Sequence, residues 1–428
     1  MRMNETNENK LVPKLRFPEF NKDGEWDEKL VEEYFTVGSS KRVLQEDWTN
    51  YGVPFYRTRE LVSLSKNESF RSEVFISEEL FSELQKSYGI PKEGDFLVSG
   101  VGTLGICYQV TAKDNFYFKD GNVLWFKLER GLNSTYFKYC FQSDHIQNQI
   151  TGQASISTVG TYTIQNAKKT KFWYPPTYEE QQKIADCLSS IDEVITAESQ
   201  KLKVLKEHKK GLLQNLFPQA GETVPKLRFK EFENSGEWVE KNLGGIGEPL
   251  MCKRVFKEET TPNTQNGIPF YKIGTFGRLA DAYISKDLYE DYKSKYSFPK
   301  IGDILISASG TIGRLVIYDG SPAYFQDSNI IWLGHNEDVV LNGFLFYCYT
   351  NLKWQTSDGG IISRLYNSDF KRMTIRFPKN QKEQQKIASC LSSIDDLINT
   401  QSQKVETLKL HKKGLLHGLF PDVNEVNV

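Results

Sequence analysis

The chain has 428 residues, a formal net charge of −1 and 39% hydrophobic residues. That length supports two to four domains with real cores. The near-neutral balance excludes a basic protein that coats nucleic acid over its whole surface, while leaving room for local basic patches. Residues 1–10 are polar, and no apolar run reaches the roughly 20 residues that cross a bilayer, so a cytoplasmic address without signal peptide or membrane span is expected. The six cysteines (Cys107, Cys140, Cys187, Cys252, Cys348, Cys390) form no CxxC pair, and reduced thiols are the simplest reading.

In chain order, the first phrase is VPKLRFPEFNKDGEW from Val12. Lys41-Arg42-Val43 follows, then a strand-like PFY run with Arg57 and Arg59 behind it. Ser77 has the chemistry of a helix N-cap, and Leu80, Phe81, Leu84 and Tyr88 form one helical face. A strand at 95–99, a Gly-rich turn, a strand at 106–110 and an NVLW strand complete a head with α+β character and a mostly antiparallel sheet.

A long uninterrupted segment comes next, EQQKIADCLSSIDEVITAESQKLKVLKEHKKGLLQNLFP, from Glu180 to Pro218. Ile184, Leu188, Ile191, Ile195, Leu202, Leu205, Leu212 and Leu216 step by fours and threes, with polar gaps at Glu198 and Lys209. That is a heptad seam. A helix of this length spans about 57 Å.

The chain then repeats itself. VPKLRFKEFENSGEW begins at Val224, Lys253-Arg254-Val255 answers the first Lys-Arg pair, and Lys272 and Arg278 follow the second PFY run. Ser285 is a second candidate N-cap, and EQQKIASCLSSIDDLINTQSQKVETLKLHKKGLLHGLFP runs from Glu383 to Pro421. Its seam is Ile387, Leu391, Ile394, Ile398, Val405, Leu408, Leu415 and Leu419, with gaps at Gln401 and Lys412. The two long segments keep a constant offset (384 minus 181 is 203), whereas the offset between the heads drifts from 215 to 203. The expected organisation is a head at 1–178, a helix at 179–218, a second head at 219–381, a second helix at 382–421 and a tail at 422–428. An exposed apolar seam on so long a helix needs a partner. The other copy, running antiparallel, is the expected one, with the heads at opposite ends of a rod and a pseudo-twofold axis between them. The alternative is that each helix packs on its own head.

Catalytic motifs are scarce. Gly100–Gly105 fits GxGxxG, but a strand-like ICYQV follows where a dinucleotide site needs a helix, and the second copy has Ala308 at the first glycine. A tight turn approaching a ligand is the better reading. No GxxxxGK[ST] loop, HExxH, NPPY or paired nucleophile and base occurs, and His208 and His411 read as solvated helix flanks. The chain is not expected to be an enzyme or to hold a metal by itself.

Basic residues are more suggestive, because arginine bridges guanine edges and lysine neutralises phosphate. The candidate DNA-contacting set is Lys41, Arg42, Arg57, Arg59 and Thr103 in the first head. In the second it is Lys253, Arg254, Lys272, Arg278, Thr311, Arg314 and Arg364. Any one of them fits a solvated surface; the recurrence of Lys-Arg in both heads tilts the set toward nucleic acid.

The order PKLRFPEF, GEW, VPFYR, GTLG, EQQKIADCLSSID and HKKGLLQNLFP, given twice with small changes, resembles the specificity subunit of type I restriction-modification systems over essentially the whole chain. The resemblance implies two target-recognition domains, each reading half of a bipartite double-stranded DNA site, and an antiparallel coiled coil that sets the spacing. It further implies two methyltransferase subunits using S-adenosylmethionine, two restriction subunits using ATP and magnesium where the system restricts, and no cofactor or catalysis in this chain. A methylation-only system, a protein-binding coiled-coil scaffold and a nucleotide-dependent enzyme are the competing readings.

Overall fold

A computed structural model describes residues 11–66, 74–129, 131–154, 160–262, 267–354 and 364–421. The expected tail at 422–428 lies outside the described residues. The chain forms two compact units, one of residues 1–199 with 403–428, the other of residues 200–402. Each long helix is therefore shared: its first part belongs to one unit and its last part to the other.

In the first unit, strands Phe35–Gly38, Val123–Leu128, Phe96–Ser99 and Cys107–Gln109 form an antiparallel sheet in that spatial order. Side chains on a strand alternate between faces, and both faces are covered here. Phe96 and Val98 enter the main core with Phe126, Phe137 and Trp173, while Leu97 turns to a second cluster with Phe118 and Trp125. Val53–Tyr56 lies between Phe75–Ile76 and Tyr117–Phe118, antiparallel to the first and parallel to the second. Asp27–Leu30 pairs with Lys171–Tyr174 just before the long helix.

The second unit repeats this plan. Glu248–Leu250, Ile330–Gly334, Ile304–Ser307 and Leu315–Ile317 form the four-stranded sheet. Ile304 and Ile306 face one core and Leu305 the other. Ile268–Tyr271 again runs parallel to Tyr324–Phe325, and Val239–Asn242 pairs with Thr374–Phe377. The N-cap readings hold: Ser77 accepts from the Leu80 amide and Ser285 from the Leu288 amide, both at 3.2 Å, at the heads of helices Glu78–Tyr88 and Lys286–Lys295. Phe81 and Leu84 are buried, whereas Tyr88, in the last turn, is 52% exposed.

The long helices run from Tyr178 to Leu216 and from Gln381 to Leu419, 39 residues each. The expected antiparallel pairing and the alternative of packing on the head both occur, in different parts of each helix. In the first unit Ile184 and Leu188 sink into the core of their own head. Farther along, Asp192 meets Lys412 at 2.7 Å and Glu198 meets Lys404 at 2.5 Å, so the second helix runs antiparallel past the first. It ends by delivering Leu419 and Phe420 into the same head core, where Phe420 lies 6.2 Å from Trp26 and 5.7 Å from Tyr136, ring to ring.

The second unit does the same with the segments exchanged. Ile387 and Leu391 pack on their own head, Lys209 meets Asp395 at 2.5 Å, and Phe217 stacks 5.4 Å from Phe344 and lies edge-on 5.7 Å from Trp238. The Phe-Pro pairs that mark the helix stops thus also carry core plugs. The described seam residues are buried or half-buried, and His208 and His411 are exposed.

The repeated EQQ and PKLR phrases meet at the joint of head and helix. Arg16 makes two 2.8 Å bonds to the two oxygens of buried Glu180, and Arg228 grips Glu383 in the same way at 2.7 and 2.9 Å. Gln181 and Gln384, also buried, accept the amides of Asn133 and Leu341. A bidentate arginine fixes both position and plane of a carboxylate, so the start of each helix is held at a set orientation on its head.

Candidate nucleic-acid interface

Each head carries three loops joined to one another by hydrogen bonds. The Lys-Arg loop is pinned from below by a tyrosine of the parallel strand: the Lys41 amide donates to the Tyr117 hydroxyl at 3.0 Å, and the Tyr324 hydroxyl donates to the Lys253 carbonyl at 3.1 Å. Beside it lies the Asp-Gly-Asn or Asp-Ser-Asn turn, reached in the first head by Ser39, whose hydroxyl accepts from the Gly121 amide at 3.2 Å. The Gly-rich turn comes next, through Gly100 amide to Asn122 carbonyl at 2.9 Å and Ala308 amide to Asn329 carbonyl at 2.7 Å. The result is one continuous loop edge per head.

The Gly-rich turn is built by serine rather than by a helix. Ser99 Oγ donates to the Thr103 carbonyl at 2.5 Å and accepts from the Ile106 amide; Ser307 repeats this with the Thr311 carbonyl and the Arg314 amide. A strand follows in both copies, which agrees with a ligand-approaching turn and removes the helix dipole that a dinucleotide site needs. At the neighbouring turn Gly121 has φ +74°, and the equivalent Ser328 adopts φ +53°, a left-handed conformation unusual for a residue with a Cβ.

The candidate contact residues fall into two groups. Lys41, Arg42, Thr103, Lys253, Arg254 and Thr311 are exposed on the loop edge, with Arg314 and Arg364 half-buried beside them. Arg254 pairs with Asp327 at 3.0 Å, Arg314 donates to the Phe276 carbonyl at 2.8 Å, and Arg364 reaches the Ser328 carbonyl at 3.4 Å. The Arg314 bond ties the loop that holds Lys272 and exposed Arg278 to the Gly turn; Lys272 itself pairs with Asp281 at 2.8 Å.

Arg57 and Arg59 stand at the start of the helix Thr58–Ser65. Both converge on buried Glu60, at 2.7 and 3.1 Å. Burial alone would raise the Glu60 carboxyl, but the bonds from Arg57 and Arg59 outweigh it and hold its pKa below the usual carboxylate value.

Sequence reasoning missed one feature. Lys41 Nζ sits 5.5 Å over the Tyr88 ring, and Lys253 Nζ sits 5.2 Å over the Tyr296 ring. Both tyrosines are about half exposed, at 52% and 44%. The same cation–aromatic pair stands in each head, beside the loop edge. The signal lay in the tyrosine that closes each short helix, two positions with a constant offset of 208 (296 minus 88). Among the described residues no cluster of histidine, cysteine, aspartate and glutamate is arranged to hold a metal, and no helix is long and apolar enough to cross a membrane.

Comparison with known proteins defines the class. The family described as the type I restriction modification DNA specificity domain matches twice, over residues 23–207 and 235–410. This chain belongs to that family. A protein of Haemophilus influenzae named as a candidate type I restriction enzyme specificity subunit, S.HindORF215P, is 52% identical over 158 residues, 37% of this chain and 40% of the relative. The match thus spans well under half of that relative's length. A candidate MjaX specificity subunit of Methanocaldococcus jannaschii is 25% identical over 81% of this chain and 78% of its own. The crystal structure of the type I restriction-modification S subunit from M. genitalium shares the fold, with a TM-score of 0.62 at 17% identity over 96% of this chain and all of that one.

Proposed function

We propose that this chain is the non-catalytic DNA-specificity subunit of a type I restriction-modification complex. Each head reads one half of an asymmetric bipartite site, and the paired helices set the gap and carry the methyltransferase subunits. The observation that carries the reading is the duplicated loop edge. The two heads keep the scaffold that presents Lys41 and Lys253 over exposed tyrosines, and they differ in the residues around it. A shared phosphate-facing lysine beside unlike neighbours suits two readers with different base preferences, since phosphate contacts position and base contacts specify. Unlike readers give a non-palindromic site.

Methylation and cleavage belong to partner subunits in this reading, which bring S-adenosylmethionine, and ATP with magnesium where restriction subunits are present. Two methyltransferase subunits and double-stranded DNA are the expected partners, in the cytoplasm. The test exchanges residues 12–178 for the head of another specificity subunit and sequences the methylated sites in cells carrying the system. One half-site changes and the other stays. A change in both halves, or in neither, removes the two-reader assignment.

A further inference from the structure

Three elements are knotted together at one point in each unit, by the same three residue types. In the first unit Tyr139, on the head helix Ser134–Cys140, donates its hydroxyl to Asp192 of the first long helix at 2.8 Å. Lys412 of the second long helix meets the same carboxylate at 2.7 Å and lies 5.2 Å over the Tyr139 ring. In the second unit Tyr347 donates to Asp395 at 2.9 Å, and Lys209 meets that carboxylate at 2.5 Å and lies 5.8 Å from the Tyr347 ring.

The lysines occupy the polar gaps of the two heptad seams. Lys412 and Asp192 are 17% and 29% exposed, and Lys209 and Asp395 are 21% and 28% exposed, so these are half-desolvated pairs rather than surface contacts. Asp192 precedes Lys209 by 17 positions and Asp395 precedes Lys412 by 17, so one antiparallel register satisfies both.

A slip of one heptad moves a helix about 10 Å along its partner. The apolar seam tolerates such a slip, because leucine and isoleucine recur at each step. The plugs at Phe217 and Phe420 oppose it, and so do the knots: a slipped lysine loses its carboxylate in a partly dry site, and the carboxylate loses its lysine. A polar residue at a seam position is a known means of specifying register at a cost in stability.

We propose that Tyr139–Asp192–Lys412 and Tyr347–Asp395–Lys209 are the spacing determinants of the protein. They lock the register of the helices to each other and to the heads, and thereby fix the number of base pairs tolerated between the half-sites without touching DNA. They act as positioning residues, and the assignment rests on the bipartite reading given above.

The test uses the full chain with its methyltransferase subunits and duplexes that keep both half-sites while the gap varies one base pair at a time. Wild type methylates at one gap. Asp192→Ser with Asp395→Ser is expected to raise methylation at gaps about three base pairs from the parent gap at least tenfold relative to it, with the bases of each half-site unchanged. The exchange Asp192→Lys with Lys412→Asp restores the single gap. Tyr139→Phe, which keeps the ring and loses only the hydroxyl bond, gives a partial broadening and guards against a variant that merely unfolds. Folded variants that keep wild-type stringency at every gap overturn the proposal and leave the knots as stabilising contacts only. A wild-type complex with no gap preference overturns instead the bipartite reading beneath it.

Discussion

Arg16 and Glu180, separated by 164 positions, form a two-point clamp in which Nε and Nη2 each lie 2.8 Å from a different carboxylate oxygen. The arginine side chain is 5% exposed and the glutamate 0%. Trp26 Nε1 adds a third bond to the same carboxylate at 3.1 Å, and the remaining arginine nitrogen, Nη1, donates to the Gly24 carbonyl. This joint decides where the first long helix leaves its head. Removing one member of such a pair strands a buried charge.

Arg16→Ala is therefore expected to destabilise the first unit by about 3–5 kcal/mol, and Arg228→Ala the second by a similar amount. Urea unfolding followed by tryptophan fluorescence checks this. A loss under about 1 kcal/mol would show that solvent or a neighbour takes over the role of the clamp.

Phe420→Ala tests the helix plug. Phe420 is 3% exposed between Trp26 and Tyr136, and truncating a buried phenylalanine costs about 3–5 kcal/mol. The loss belongs to the first unit, although Phe420 lies beyond the second head in sequence. A truncation that ends at Ser402 should likewise melt the first unit, leaving residues 200–402 folded. Limited proteolysis with mass spectrometry reads which half survives; equal protection of both sinks the idea.

The Lys41→Ala and Lys253→Ala variants should each weaken DNA binding across all sequences. Each should also reduce the slope of log affinity against log salt by about 1, the signature of one lost phosphate contact. Fluorescence anisotropy across a salt series measures both quantities, and an unchanged slope takes that lysine out of the interface.

His145 gives a pH prediction. It stacks 4.1 Å from Trp173 with Glu28 at 3.3 Å, and burial lowers its pKa below the ordinary histidine value, with nearby Lys171 pushing the same way and Glu28 opposing. The fold thus binds fewer protons here than the unfolded chain. Its contribution is fully present above the unfolded value of about 6.5 and is lost as pH falls from there through the folded value. Wild type minus His145→Gln, compared as melting temperatures between about pH 7 and pH 5, isolates this term. A difference that does not change with pH refutes it.

Gly313 tests the built turn. Its φ is +81°, and an added Cβ would meet the Trp354 ring. Gly313→Ala is expected to cost about 1–3 kcal/mol and to impair DNA binding through the displaced turn, read by thermal melting and anisotropy together. Full stability with full binding would mean that the ring and the turn relax without consequence.

Sequence by itself determined the duplication, the length and phase of both helices, the helix caps at Ser77 and Ser285, and the basic loop that recurs in each head. Those features rest on local chemistry and periodicity, which a chain states residue by residue. It also marked polar gaps at Lys209 and Lys412 without saying what fills them. Only the tertiary structure decided that Asp395 and Asp192 fill those gaps, that Arg16 closes on Glu180, and that Phe420 completes the core of the first head. The reason is distance along the chain. A partner 150 to 400 positions away leaves no trace in local periodicity, and its identity is fixed only when folding brings two desolvated groups to the same place.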